Sequence, residues 1–253
     1  MAIRGLYNGN DAQRLLSLSM WSAARDLARI ASGDRIFTAA EDPAGLVISE
    51  QLRSQIGSLR AEIKNISMTI DKYSSVGSTL TELHDQLIEI RSLAVTAANE
   101  GVNSPDAQQA YAHAANDIVT AYNKTIASDE YNGHKTLDGS SGSLAQLTPL
   151  TGIDLSSAEG ANASMVLVDT TMHQVEQAQV DLGSKQRYEL ESRRAQLEVT
   201  QENLIASESN IRDTDFATAY SDYMSNMIRA RVGAAMSAHQ AISGAIVLQL
   251  LGQ

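Results

Sequence analysis

From Ala44 to Asn99 the apolar residues fall at alternating steps of four and three. Leu52, Ile56, Leu59, Ile63, Ile66, Ile70 and Tyr73 form one seam; Val76, Leu80, Leu83, Leu87, Ile90, Ala94 and Ala97 form a second. A stripe with this repeat makes a long helix pack lengthwise against other helices. The seams meet through a second consecutive step of three, Tyr73 to Val76, which predicts local overwinding near Gly77. Asp42 as N-cap with Pro43 at the first helical position marks the start, and Gly101 the stop.

Ser104-Pro105 repeats the opening device. It starts a helix whose stripe is Tyr111, Ala115, Ile118, Tyr122 and Ile126. Between residues 128 and 164 the periodicity fails. Asn132-Gly133, Asp138-Gly139 and Ser140-Ser141-Gly142 are turn signals, so this stretch reads as loops with a short hairpin. A third long helix is expected from Met165, with Val168, Val175 and Leu182 seven apart, then Leu190, Leu197, Leu204 and Ile211. The step of eight between the two sets falls at Gly183 and is another phase slip. The intervening seam positions are polar: Arg193, Thr200 and Ser207.

Both ends are amphipathic. Phe216, Tyr220, Tyr223, Met227, Ala230 and Ala234 continue the four–three pattern. After one extra residue come Ala238, Ala241, Ala245 and Leu248. Near the N-terminus Trp21, Ala24, Leu27 and Ala31 make a thinner, alanine-rich stripe. The predicted class is all-α, an elongated rod of long antiparallel helices with a short loop or β-hairpin region in the middle. A helix over 44–99 would measure about 84 Å at 1.5 Å per residue. A compact chain of 253 residues would be under about 50 Å across. Terminal stripes without an internal partner of matching size imply association with other chains; a folded-back monomeric bundle is the alternative.

Composition agrees with long helices. The only prolines are Pro43, Pro105 and Pro149, and aromatic residues make up 4% of the chain. Cysteine is absent, which excludes disulfides, thiolate metal sites and a cysteine nucleophile. The net charge of −11 disfavours nucleic acid as partner. It is unevenly spread, at +2 over residues 1–35, zero over 211–253 and −13 between them. Near-neutral ends flanking an acidic body fit packed ends and a solvated middle. The longest apolar run, near Ile246 to Leu251, is far short of the roughly 20 residues that span a bilayer, and no secretory signal pattern opens the chain.

Candidate chemistry is sparse. None of His84, His113, His134, His173 and His239 is followed by Glu, so there is no His-Glu-x-x-His zinc motif. Asp213 and Asp215 lie beside Arg212 and read as an acidic first turn of the last helix rather than as a catalytic pair. Gly139 to Gly142 lacks the Gly-Lys-Ser/Thr ending of a phosphate loop. No cofactor and no enzymatic activity are expected. Sequons at Asn65, Asn123 and Asn162 are read as chance.

Five stretches, in order, resemble the bacterial flagellins. They are Ala31-Ser32-Gly33-Asp34-Arg35-Ile36 with Glu41-Asp42-Pro43-Ala44-Gly45-Leu46; Ile90-Arg91-Ser92-Leu93-Ala94-Val95 through Asn99-Glu100-Gly101; Tyr131-Asn132-Gly133; Asn210-Ile211-Arg212-Asp213-Thr214-Asp215-Phe216; and the ending Val247-Leu248-Gln249-Leu250-Leu251. The opening Arg4-Gly5-Leu6, Phe37, Ala40 and Ser92 depart from the family pattern, and only residues 138–164 stand where many flagellins insert large outer domains. The resemblance implies an inner coiled-coil domain built from residues 1–41 and 213–253, and a helical-bundle domain over 42–212 with an irregular segment at 128–164.

By the same resemblance, the chain would be a structural subunit that polymerises with itself through its terminal helices into a motility filament. Trp21, Leu27, Phe216, Tyr220, Tyr223, Met227, Leu248 and Leu251 would be its assembly residues. Implied partners are a flagellar export chaperone and the cap and junction proteins. The implied location is extracellular, in the flagellum, reached by type III export without a cleaved signal peptide. The family also implies an innate immune receptor as partner, at a surface around Leu87, Arg91 and Val95 facing the helix after Pro105. The plainer reading of these residues is seam core for Leu87 and a subunit contact for Arg91. Family members carry O-linked sugars, for which Ser140, Ser141 and Ser143 are candidates. The hook–filament junction protein, which shares both terminal signatures, is the alternative; an enzyme or a helical adaptor would leave the ordered motifs unexplained.

Overall fold

The computed structural model describes residues 2–99, 103–140 and 143–251, without the side chains of 2–10, 240–241 and 243–251. Its elements are α1 (Ala2–Ser32), α2 (Pro43–Ala97), α3 (Pro105–Ser128), β1 (Glu130–Tyr131), β2 (His134–Lys135), α4 (Ala158–Ser184), a π-helical segment (Lys185–Glu191), α5 (Ser192–Arg212) and α6 (Phe216–Leu251). The all-α expectation holds, with one two-residue hairpin among the described residues. Two compact units emerge. One combines residues 1–58 with 200–253 and the other spans 59–199, the divide falling inside α2 and inside α5.

The expected helix starts are present. Asp42 Oδ1 accepts the Gly45 amide at 2.9 Å, and Ser104 Oγ accepts the Ala107 amide at 3.2 Å, each just ahead of its proline. Helix α2 ends at Ala97; the expected stop at Gly101 lies outside the described residues. Helix α4 begins at Ala158, not at Met165. Ser157 caps it by accepting the Gly160 amide, and poor helix formers at Gly160 and Asn162 hid this first turn from the periodicity. Asn132 at φ 54° and Gly133 at φ 78° form the tight turn that pairs Tyr131 with His134.

Within the 59–199 unit, all seven residues of the second α2 seam, Val76 to Ala97, are buried. Val76 to Ile90 pack against Tyr122 and Ile126 of α3, Val168, Val175 and Leu182 of α4, and Leu137, Leu147 and Leu150 of the loop that follows the hairpin, while Ala94 and Ala97 pack with Ala115, Leu155 and Ala161. Asn123 ties that loop down: its side chain donates to the Leu150 carbonyl and accepts the Leu150 amide, both at 2.8 Å. That double bond accounts for Asn123 without a sugar. Thr79 donates to Asp129 at 3.0 Å where α3 ends. Before that level α2 lacks this third neighbour, and Leu59 to Tyr73 are half-buried.

Both phase slips sit at this transition. Gly77 faces Leu182: a Cβ there would lie 3.6 Å from a Leu182 methyl. The step of eight is resolved by the seven-residue π segment that follows, whose wider turns take one more residue into the same number of turns. The step of three leaves α2 unbroken. Beyond the π segment the seam runs Leu190, Arg194, Leu197, Gln201, Leu204, Glu208 and Ile211. The intervening positions are therefore Arg194, Gln201 and Glu208, one residue after Arg193, Thr200 and Ser207, which are exposed.

In the other unit α1 packs on α6. The α1 seam is Ala12, Leu16, Ser19, Ala23, Asp26 and Ile30; the α6 seam is Ala219, Tyr223, Asn226, Ala230 and Gly233. Small side chains let the backbones close in. A Cβ on Gly233 would lie 3.3 Å from Leu16 Cβ and 3.4 Å from its backbone nitrogen.

Candidate functional site

Two features of the 1–58/200–253 unit stand out, a polar junction and an apolar outer face. The junction is built from segments nearly 180 residues apart. Gly33, at φ 79°, ends α1 in the left-handed conformation that glycine tolerates. Its carbonyl accepts the Thr214 amide at 2.8 Å, the Arg35 amide donates to the Arg212 carbonyl at 2.6 Å, and Asp34 bridges Asp213 in antiparallel fashion. The Arg35 guanidinium adds bonds to the Asn210 carbonyl at 3.3 Å and to that of Ile211. Arg212 forks between Glu50 at 2.8 Å and Asp34 at 3.3 Å, and these bonds raise its pKa. The Phe37 amide and the Arg29 guanidinium hold the Glu41 carboxyl below its usual range.

The family-like stretches at 31–46 and 210–217 therefore meet in space. Sequence reasoning missed the partnership of Arg212 with Asp34 and Glu50. The stretches themselves were the signal, but nothing in either one names its partner. Asp213 and Asp215 do not act as a carboxylate pair, since Asp213 accepts from Ser209 and Asp215 caps α6. Among the described residues no group of three or more His, Asp or Glu is placed to hold a metal ion.

Gly45 belongs to this junction for lack of room. A Cβ there would run into the Asp42 carboxylate and lie 3.0 Å from Ile36 Cδ1. Gly45→Ala is expected to push Asp42 off its capping position, at about 1 kcal/mol. Thermal unfolding should register a drop of a few degrees, and an unchanged midpoint would contradict the steric account.

Asp215 carries a pH-dependent cap. Bonds from the Thr218 hydroxyl and amide and the Ala217 amide lower its pKa from 3.8. A depressed carboxyl stabilises the folded form above the unfolded pKa and loses that contribution as pH falls through the folded one. Helicity at the start of α6 should thus decline below about pH 4, and Asp215→Asn should flatten this part of a circular-dichroism acid titration. An identical titration for the two proteins would refute the assignment.

The outer face of the pair carries many large apolar side chains among charged ones such as Arg14, Arg229 and Arg231. Trp21 is 63% exposed, Tyr220 59%, and Leu15, Leu18, Met20 and Leu27 of α1 and Phe216, Met224, Ile228, Val232, Met236 and Ile242 of α6 are exposed as well. Of the expected assembly residues, Trp21, Leu27, Phe216 and Tyr220 lie on this face, while Tyr223 and Met227 are half-buried at the seam. The side chains of Leu248 and Leu251 lie outside the described residues.

In the 59–199 unit Leu87 is fully buried in the core, so it contributes nothing to an outer surface. The structure there presents Arg91, paired with Asp169 at 2.7 Å, and Val95, 51% exposed. Ser140 is exposed, Ser143 is half-buried with its hydroxyl bonded to the Ala145 carbonyl, and Ser141 lies outside the described residues.

Long helices and a terminal pair that exposes large apolar side chains are the features of a structural assembly protein. Comparison with known proteins is specific. The family model for the bacterial flagellin N-terminal helical region matches residues 5–142, and that for the C-terminal helical region matches residues 165–251. A flagellar filament 30.7 kDa core protein of Treponema maltophilum is 28% identical over 95% of this chain and 96% of its own length. A flagellin of Halalkalibacterium halodurans is 30% identical over 95% and 96%, and one of Bacillus subtilis 28% over 93% and 95%. The chain belongs to the bacterial flagellin family, in a short form, and is a structural subunit of the flagellar filament. These relatives favour that role over the junction protein.

Proposed function

We infer that the chain polymerises with copies of itself by burying the outer faces of α1 and α6. Trp21, Leu27, Phe216 and Tyr220 are the central contacts, Tyr223 and Met227 flank the seam, and Leu248 and Leu251 are further assembly residues by the family resemblance. The carrying observation is that the fully buried apolar positions of the α1–α6 seam are alanines, while most of the large apolar side chains of both helices are exposed. An exposed apolar face of this extent marks an interaction surface. A chain without cysteine is suited to passing unfolded through a narrow export channel with a flagellar export chaperone, without a cleaved signal peptide, and to folding outside the cell beneath the cap. No enzymatic activity is assigned. Recognition by an innate immune receptor would use the Arg91 and Val95 face, with Leu87 acting only as its scaffold; Ser140, Ser141 and Ser143 are the candidate glycosylation positions.

Electron microscopy of the purified protein near neutral pH tests polymerisation directly. Long tubular filaments are expected. A persistent monomer, or short rings that never elongate, would overturn the reading.

A further inference from the structure

The α1–α6 seam holds one polar pair that nothing else in the seam needs. Asp26 is 5% exposed in a row otherwise made of alanine, serine and aliphatic side chains, and Asn226 Nδ2 donates to its Oδ2 at 2.8 Å across the helix pair. Ala23, one turn before Asp26, and Ala230, one turn after Asn226, are both buried. The backbone bonds at Gly33–Thr214 and Arg35–Arg212 pin the pair at one end, and between that junction and the close approach of Gly233 to Leu16 the seam holds mostly small apolar residues, which resist sliding weakly. The polar pair resists it more. A slide of seven residues sets Asp26 against Ala219 or Gly233, leaving its carboxyl group and the Asn226 amide buried without each other.

We propose that the Asp26–Asn226 hydrogen bond holds, along the terminal helix pair, the register that the junction at residues 33–35 and 212–214 begins, making these two residues positioning residues for assembly. A buried polar group left unpaired is far more costly than a mismatched apolar contact, which is how single polar seam residues specify register in helix pairs. Register matters because it aligns the outer residues of α1 with those of α6. A shifted pair would present a different apolar face to the next copy. The consequence for assembly rests on the polymerisation reading above; the register itself does not.

The cysteine-free chain permits a direct test in the full-length protein. A Cβ on Gly233 lies 3.3 Å from Leu16 Cβ, close to the separation of a disulfide. The parent variant therefore carries Leu16→Cys and Gly233→Cys and is oxidised both as monomer and under assembly conditions. Intrachain cross-linking is read from mobility and intact mass. The parent is expected to cross-link efficiently. Adding Asp26→Leu with Asn226→Leu should preserve helicity but lower the intrachain yield about fivefold. The exchange Asp26→Asn with Asn226→Asp, which restores one donor and one acceptor, should recover the yield.

Full cross-linking in the leucine double variant would overturn the proposal, as would failure of the exchange to rescue or a parent that does not cross-link. Loss of helicity in the leucine variant would also count against it, since apolar replacement should not unfold the pair. Filament growth by the parent is scored separately by microscopy. Its absence would tell against polymerisation while leaving the cross-linking result to stand.

Discussion

Removing residues 216–253 is expected to abolish filament growth while leaving a soluble, helical subunit. The deletion takes away all of α6. It strips α1 of the helix it packs against along Ala12 to Asp26 and removes the large apolar side chains that α6 exposes. Without that seam, α1 has too little surface to bury to offset the roughly 1–2 kcal/mol per residue that ordering its backbone costs. The 59–199 unit keeps all of its own residues. Its core of α2, α3, α4 and the post-hairpin loop contains no residue beyond Leu182. Circular dichroism should thus show cooperative unfolding of a shorter helical protein, and sedimentation a monomer under conditions in which the full chain forms filaments. Filaments from the truncated chain would refute the terminal-helix mechanism; loss of all helicity would refute the independence of the 59–199 core.

Leu87→Ala and Arg91→Ala should separate core from surface on the same stretch of α2. Leu87 is fully buried among Leu83, Ile90 and the facing residues of α3 and α4. Truncating it removes buried methyl groups and leaves a cavity, at about 2–5 kcal/mol. Arg91 is half-exposed and its partner Asp169 likewise, so losing that ion pair should leave the stability nearly unchanged. Denaturant unfolding reads both. A Leu87→Ala protein as stable as wild type would contradict the core placement. In a receptor reporter assay on soluble monomer, a Leu87→Ala defect should track its unfolded fraction. An Arg91→Ala defect should appear in a fully folded protein. Equal reporter activity of Arg91→Ala and wild type would remove Arg91 from the receptor surface.

How much of this could be read from the chain differed between its two halves. The second α2 seam was legible residue by residue, because a helix surrounded by partners buries its largest apolar residues and the four–three spacing reports them. The step of eight at Gly183 was legible as well. An extra residue in a heptad must be absorbed somewhere, and the π segment takes it within the next turn. The terminal helices read differently. Size and hydropathy select Trp21, Leu27, Phe216 and Tyr220, yet these face away from the intrachain seam. A helix with two apolar stripes does not declare which one meets its own chain. Close backbone approach selected the stripe of Ala12, Ala23, Ala230 and Gly233, leaving the larger one exposed.

The amino-acid sequence by itself determined the long helices, the caps at Asp42 and Ser104, the Asn132-Gly133 turn and the two phase slips, since each depends on local spacing, backbone preference and side-chain volume. Tertiary structure alone decided the partnerships. Arg212 reaches Asp34 and Glu50, and Asp26 reaches Asn226 across 200 positions. Neither follows from spacing, because a polar side chain on a helix has many possible partners of equal chemistry. Only the packing of whole helices brings one of them within hydrogen-bonding distance and excludes the water that would otherwise compete for it.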